Sequence, residues 1–462
     1  MNAINDSPTR VLCEYAARTR YEDIPKSVIQ ATKLYILDCI GNAIGGANLD
    51  PGKIVIELFE AMKGIPEASV FSTGKKLPLL HAIYVNAFLS NVLDFDDTYA
   101  NMGHPGATAI PPAISMAEKM RANGEQLIAA AVIGYETSLR IGLAIAASPE
   151  RYKQVWGLST WQIFGATAAS GNLLNLDAEQ MRNAFGLGGV NAPVPYARKL
   201  GLKLEERPFA WSKNNYGWAA MGGVLGSLLA QKGFLGNRYI LDGEMGFWVM
   251  AGSDRCDFEK MVEGLGKNYL LPQTSFKPYA SCRWTHSTID ACIKILDKNR
   301  IEADTIRSIK VKGMYELAHS LAEKTPTYIY DAQFSIPYLI SLCIAGHSPA
   351  QGLSEDHLND PSVQSVAQKV SVEIDKEADR LYFEKGGIMK STVIIETSDN
   401  ERFEESVLYA KGSPEFPITN EEIEKKFLAL SSPVVGGLKS EKILERVMSL
   451  ETMDDVSELF SD

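Results

Sequence analysis

Two histidines set among charged residues are the groups in this sequence best suited to moving a proton near neutral pH. The first, His104, lies in LDFDDTYANMGHPGATAIPPA, residues 93–113, the densest polar stretch of the chain, with Asp94, Asp96, Asp97 and Thr98. Three carboxyls within four residues repel one another, so they are either solvated or held by cations. A bivalent metal and a Lys or Arg side chain are both candidate cations. Pro105 and Gly106 follow His104 as a short rigid turn that aims its imidazole.

The second histidine, His286, belongs to FKPYASCRWTHSTIDA, residues 276–291, with Lys277, Cys282 and Arg283. His286 and Ser287 fall at the start of an expected helix, where exposed backbone donors favour a carboxylate ligand. A third cluster, EERPFAWSKNNYGWAAMGG at 205–223, offers Arg207, Lys213, Asn214 and Asn215 between aromatic residues that would line either a pocket or the core. Taken singly, these lysines and arginines read as solvated surface charges and the histidines as ordinary structural ones. Together they suit a substrate that carries carboxylates, because fixed cations meet its negative charge. In that reading His104 is the acid or base, and His286 is its partner or a carboxylate ligand. Asp94 orients His104 or Lys277, and Thr98 donates a hydrogen bond to the substrate. Lys277, Arg283 and either Arg207 or Lys213 hold carboxylates.

The elements that must position these groups are mostly helical. From about residue 8 to 265, apolar residues recur at three and four, as in TKLYILDCIGNAIGG and GEQLIAAAVIGYETSLRIGLAIA. Asp177 and Gln180 are spaced as a capping box, opening a helix expected to end near Gly186. FGATAASG at 164–171 and AAMGGVLGSLLAQKG at 219–233 are rich in small residues and mark close helix contacts. After residue 268 strand-like segments appear: IRSIKVKG at 306–313, the alternating Val370, Val372 and Ile374, and STVIIET at 391–397, interleaved with helices such as THSTIDACIKILDKN. Beyond KGSPEFP, Thr419 and Glu422 form a second capping box before EEIEKKFLAL. The expected organisation is a helical first part over 1–268, an α+β region over 269–407, and a helical tail over 408–462 packing back on the first part. The fold class is thus mainly α with a smaller α+β domain.

Composition narrows the function. The chain has 462 residues, 45% of them hydrophobic, and a formal net charge of −11, which disfavours nucleic acid or an anionic membrane as partner. It leaves room for an anionic substrate held by a few cations in one cleft. No apolar run approaches the roughly 20 residues of a membrane span, and the first residues lack a signal-peptide pattern. The six cysteines are scattered, with no CxxC, as suits reduced thiols and a cytoplasmic protein without an iron–sulfur cluster. HExxH, GxxxxGK[ST] and GxSxG are absent, and GLGGVN at 186–191 lacks the third glycine of a dinucleotide fingerprint.

Four motifs in series carry a resemblance: LDFDDT with His104 and Pro105 beyond it, KPYASCRWTH running into STIDA, QFSIPYLISLCIAG at 333–346, and KGSPEFPIT before a helix. In this order, over about residues 8–432, the chain resembles the MmgE/PrpD family of 2-methylcitrate dehydratases, cis-aconitate decarboxylases and iminodisuccinate epimerases. The resemblance implies a large helical domain built from both chain ends, a smaller α+β lid, a cleft between them, a homodimer, and no metal or other cofactor. Asp94, Thr98, His104 and His286 match positions that the aconitate decarboxylase branch places in its active site. Trp156 stands where that branch has a histidine, and Arg207 with Pro208 where it has Lys-Pro. The implied activity is a lyase on a small polycarboxylic acid, most simply a dehydratase. Decarboxylation, epimerisation of a small dicarboxylate, and a binding protein that keeps the fold without the chemistry are the alternatives.

Overall fold

The computed structural model describes residues 7–461 apart from 101–102, 156–157, 196–203, 212–215 and 352. The helical part is organised around two helices of 21 residues, Lys26–Gly46 and Gly124–Ala144, that are buried on nearly every face. Helices apolar all round must sit inside, because no face is left for water. Gly124–Ala144 is long and apolar enough to cross a bilayer by composition, yet 94% of its most apolar stretch is buried in the protein. The small-residue segments do mark close contacts. A Cβ on Gly223, in the helix Tyr216–Gln231, would lie 2.6 Å from the carbonyl oxygen of Ile163, and Ser227 and Ser170 meet hydroxyl to hydroxyl at 2.9 Å.

Both capping boxes form. Asp177 opens the helix Ala178–Val190, which runs past the expected stop at Gly186 because its glycines pack against neighbouring chain and do not break the turn. GLGGVN is therefore helix interior up to Val190, not a nucleotide loop. Thr419 opens Asn420–Val435, with the Glu422 amide donating to Thr419 Oγ1 at 3.2 Å and the Thr419 amide to Glu422 Oε2 at 2.9 Å.

The later region holds a four-stranded sheet in the order Val370–Ile374, Ile306–Gly313, Ser391–Thr397, Arg402–Val407. The first pair is parallel, with Val311 opposite Val372, and the other two are antiparallel, with Val311 opposite Val393 and Ile395 opposite Phe403. Arg402–Val407 alternates exposed and half-buried positions, an edge strand whose charged residues hid it from the apolar pattern. His286–Lys298 packs against the strands Ser391–Thr397 and Arg402–Val407 of this sheet.

Two apolar cores result. One gathers residues from Leu12 to Leu271 and adds Ile423, Phe427, Ile443 and Val447 from the carboxy-terminal helices. The other gathers Tyr279 to Val407, with Val92 and Phe209 inserted from the helical part. The chain is thus mainly helical with a small α+β region, and both ends of the chain contribute to the larger core. Phe427 seals that arrangement: it is 1% exposed, and its ring lies 3.0 Å from where a Cβ on Gly41 would be. Phe427→Ala is expected to cost about 3–5 kcal/mol, the range for a large buried aromatic, seen as a lower urea midpoint at unchanged slope.

Candidate active site

The Leu79–Val92 helix delivers the chain into the acidic loop. Asp94 has φ +47°, a left-handed backbone that a non-glycine residue adopts rarely. In this conformation its carbonyl oxygen and its Oδ1 both accept from Lys277 Nζ, each at 2.7 Å. Lys277 is completely buried, so this ion pair is sealed from water.

His104 reaches the same acids from the other side. Its Nδ1 is 3.1 Å from Asp96 Oδ1, which with Oδ2 also accepts from Asn91 Nδ2, and its Nε2 is 3.7 Å from Asp94 Oδ1. With Asp96 as acceptor the ring proton sits on Nδ1, which makes Nε2 the basic nitrogen. The partner that orients the imidazole is therefore Asp96, while Asp94 holds Lys277.

Asp97, the third acid, solves the repulsion differently. Its Oδ1 accepts the Gly106 amide at 3.1 Å and its Oδ2 the Tyr135 hydroxyl at 3.0 Å. Burial, aided by the charges of Asp96 and Asp38, pushes its carboxyl well above the usual range. The turn after His104 depends on this contact. A Cβ on Gly106 would fall 2.5 Å from Asp97 Oδ1, so only glycine fits.

Asp94, Asp96 and His104 place ligand-type atoms within 4.8 Å of one another, a spacing that a cation could bridge. The donor set fits a metal poorly, because Lys277 already supplies a positive charge 2.7 Å from Asp94 Oδ1 and Asp96 already serves His104 and Asn91. Lys277 is one of the cations that the sequence left open, and it is paired with Asp94.

A second buried pair backs the first. Lys426, from the carboxy-terminal helix Asn420–Val435, lies 2.7 Å from Asp38 Oδ1 and donates to the carbonyls of Phe95 and, at 3.1 Å, Lys277. Burial lowers the Lys426 pKa and raises that of Asp38. Neither residue was singled out from sequence. Asp38 carried a signal, a lone acid in the apolar run YILDCIG, whereas Lys426 looks like any solvated lysine of an amphipathic helix.

In the second cluster, a 3-10 turn at Arg283–Thr285 leads into His286–Lys298, and the His286 amide donates to the Arg283 carbonyl. That amide is thus not open to a carboxylate. His286 is fully buried, its Nδ1 3.0 Å from Arg283 Nη1 and its Nε2 3.2 Å from the Ser281 carbonyl. A guanidinium only donates, so Nδ1 accepts and the proton sits on Nε2. Burial, then the charges of Arg283 and Lys277, hold the imidazole pKa well below its usual value. With both nitrogens engaged and the ring neutral, His286 orients Arg283, in place of the proton partner or carboxylate ligand expected from its type. Burial lowers Arg283 itself to about 10, which leaves it charged at neutral pH.

The remaining candidates separate. Arg207 donates to Asp331 Oδ1, to the Ser320 carbonyl and, at 3.0 Å, to the Phe334 carbonyl, so its guanidinium is tied into the α+β region. Lys213, and Trp156 with it, lie outside the described residues. A cavity of about 580 Å³ borders the cluster, with Thr98, Ser275, Arg283 and Ser287 in its wall. Thr98 and Ser275 form an antiparallel bridge there, and the Thr98 hydroxyl donates to the Gly103 carbonyl at 3.0 Å. Its ionisable lining is Arg255, Lys260 and Arg283 against Glu415, a surplus of positive charge suited to an anion. Thr98 and Arg283 thus face the cavity, Asp94, His104 and Lys277 form the buried cluster beside it, and Arg207 belongs to neither.

The raised pKa of Asp97 has a consequence for stability. Between the unfolded carboxyl pKa near 4 and the raised folded value, the native state keeps a proton that the unfolded chain has released, so stability falls as pH rises through this window. Asp97→Asn keeps an acceptor for Gly106 and removes that dependence. Its melting temperature, relative to the parent protein, is expected to climb as pH rises above the unfolded carboxyl value near 4; a difference flat with pH would show that the Asp97 pKa is not raised.

Known proteins match this chain over nearly its whole length. Residues 10–258 match the MmgE/PrpD N-terminal domain and residues 279–452 the MmgE/PrpD C-terminal domain. A cis-aconitate decarboxylase of Aspergillus terreus is 26% identical over 477 aligned residues, covering 98% of this chain and 94% of the relative. The Homo sapiens cis-aconitate decarboxylase is 24% identical, covering 94% of this chain and 89% of its own.

Proposed function

The chain belongs to the MmgE/PrpD family, and from that membership and its buried site we infer that it is a lyase acting on a small aconitate-like polycarboxylic acid. The observation that carries the reading is the fixed tautomer of His104. Asp96 holds Nδ1–H at 3.1 Å, so Nε2 is presented as a base, beside a Lys277–Asp94 pair and a cavity with more cations than acids. Relatives named cis-aconitate decarboxylase, alignable over almost the full length, support the class of acid.

In the decarboxylation that those names favour, the electron pair of the breaking carbon–carboxylate bond moves onto carbon and is delocalised toward a neighbouring carboxylate. Arg283 and Lys277 stabilise that charge, and His104, after taking a proton from solvent at Nε2, donates it to carbon. Dehydration runs through a related anion: Nε2 removes the proton beside the carboxylate and hydroxide leaves with a proton from the same imidazole. Which bond breaks depends on which one stands perpendicular to the forming double bond. The dehydratase is the second reading.

A thermal-shift screen of chelator-treated protein against cis-aconitate, citrate, 2-methylcitrate, malate and tartrate tests the class, since a ligand that binds only the folded state raises the melting temperature. Proton NMR in deuterium oxide on any hit then distinguishes loss of carbon dioxide, loss of water, and exchange alone. Chelator treatment is expected to leave turnover unchanged; a loss restored by a divalent ion would replace Lys277 with a metal in the mechanism. His104→Ala is expected to lower kcat by about 10²–10⁴, the usual contribution of a general acid or base, with the fold intact by circular dichroism. Full activity in that variant would remove His104 from the chemistry.

A further inference from the structure

Ser287 is 1% exposed, and its hydroxyl is buried without a hydrogen-bond partner among the described residues. Its neighbours are all satisfied. Ser281 and Thr285 meet at 2.9 Å, Thr285 also donates to the Cys282 carbonyl at 2.8 Å, and Thr288 pairs with Ser391 at 2.8 Å. Helical serines elsewhere in the chain turn back to the carbonyl four residues earlier, as Ser341 does to Pro337 and Ser431 to Phe427, each at 2.7 Å. Ser287 makes no such bond, although it stands second in a helix of 13 residues, and it lines the 580 Å³ cavity beside Arg283. A buried polar group left unpaired is costly, and a ligand that completes it recovers that cost.

Arg283 is unfinished in a matching way. Its Nη1 is 3.0 Å from His286 Nδ1 and 2.9 Å from the Lys411 carbonyl, and Nη2 donates to the Ala410 carbonyl at 3.4 Å. Nε–H and the second Nη2–H have no partner among the described residues. These two donors share one edge of the guanidinium and match the two oxygens of a carboxylate.

We propose that Arg283 and Ser287 form a carboxylate clamp: Arg283 Nε and Nη2 grip one carboxylate of the substrate, and the Ser287 hydroxyl donates a third hydrogen bond to it. His286 and the carbonyls of Ala410 and Lys411 hold the guanidinium edge at a fixed angle to the cavity. Ser287 is then a specificity-determining residue, selecting acids that place a carboxylate at this wall. The clamp rests on the polycarboxylate reading above and names the group by which the acid is recognised.

Calorimetric titration of the full-length protein with cis-aconitate and citrate tests it. Ser287→Ala is expected to weaken binding about tenfold to hundredfold, the loss for a hydrogen bond to a charged group, while the ligand-free melting temperature stays the same or rises. Ser287→Asp, which puts a carboxylate where the ligand's would sit, is expected to abolish binding in a protein that still folds. Unchanged affinity in Ser287→Ala, or a lowered ligand-free melting temperature with unchanged affinity, overturns the clamp and makes Ser287 structural. If the parent protein binds neither acid nor any other polycarboxylate, the lyase reading falls first and the clamp with it.

Discussion

The site is built on a lysine with no water. Lys277 is completely buried, and a buried ammonium persists as a cation only where a carboxylate and further acceptors replace its hydration. Asp94 supplies both, its Oδ1 and its carbonyl each 2.7 Å from Nζ. That double contact requires the left-handed backbone at Asp94, which in turn fixes how the acidic loop leaves the Leu79–Val92 helix. Lys426 repeats the device one layer deeper, bound to Asp38 and to the carbonyls of Phe95 and Lys277. Four distant stretches of chain, around residues 38, 94, 277 and 426, converge on these two pairs. Removing one partner of such a pair leaves an uncompensated buried charge, which is why the fold and the site stand or fall together.

Burial also decides which groups carry charge. Desolvation and neighbouring acids raise the Asp97 pKa, and desolvation and neighbouring cations lower that of His286. Each then serves as a fixed hydrogen-bonding element: Asp97 pins the turn that carries His104, and His286 sets the edge of Arg283. Arg283 keeps its charge at the cavity wall, and Lys277 is ion-paired with Asp94 within the cluster. The nitrogen left basic is His104 Nε2, because Asp96 takes Nδ1–H. Preorganised dipoles and charges of this kind need not reorient as the reaction proceeds.

Much of the architecture was legible because its determinants are local. The capping boxes at Asp177 and Thr419, the apolar helices, and the β-branched strands at 306–313 and 391–397 follow from side-chain shape and spacing between near neighbours. The strand Arg402–Val407 escaped notice because its sequence, RFEESV, is charged on the face turned to water. The helix expected to stop at Gly186 continued because close packing against other segments overrode the local preference of glycine. Within the site, motif density made the two polar stretches at 93–113 and 276–291 readable, but not the pairing of Asp94 with Lys277 between them.

By itself the sequence determined which residue types are present and which short stretches become helix or strand, since these depend on contacts a few residues apart. It thereby supplied the two histidines, the acidic loop and the lysine and arginine that the site uses. Tertiary structure alone decided that Asp96 and not Asp94 orients His104, that His286 is neutral and holds Arg283, and that Arg207 belongs to Asp331. It also placed Asp38 and Lys426 behind the site and left the Ser287 hydroxyl without a partner among the described residues at the cavity wall. The reason is the same in each case: ionisation state, tautomer and hydrogen-bond partner depend on burial and on groups far away in sequence, quantities that exist only once the chain has packed.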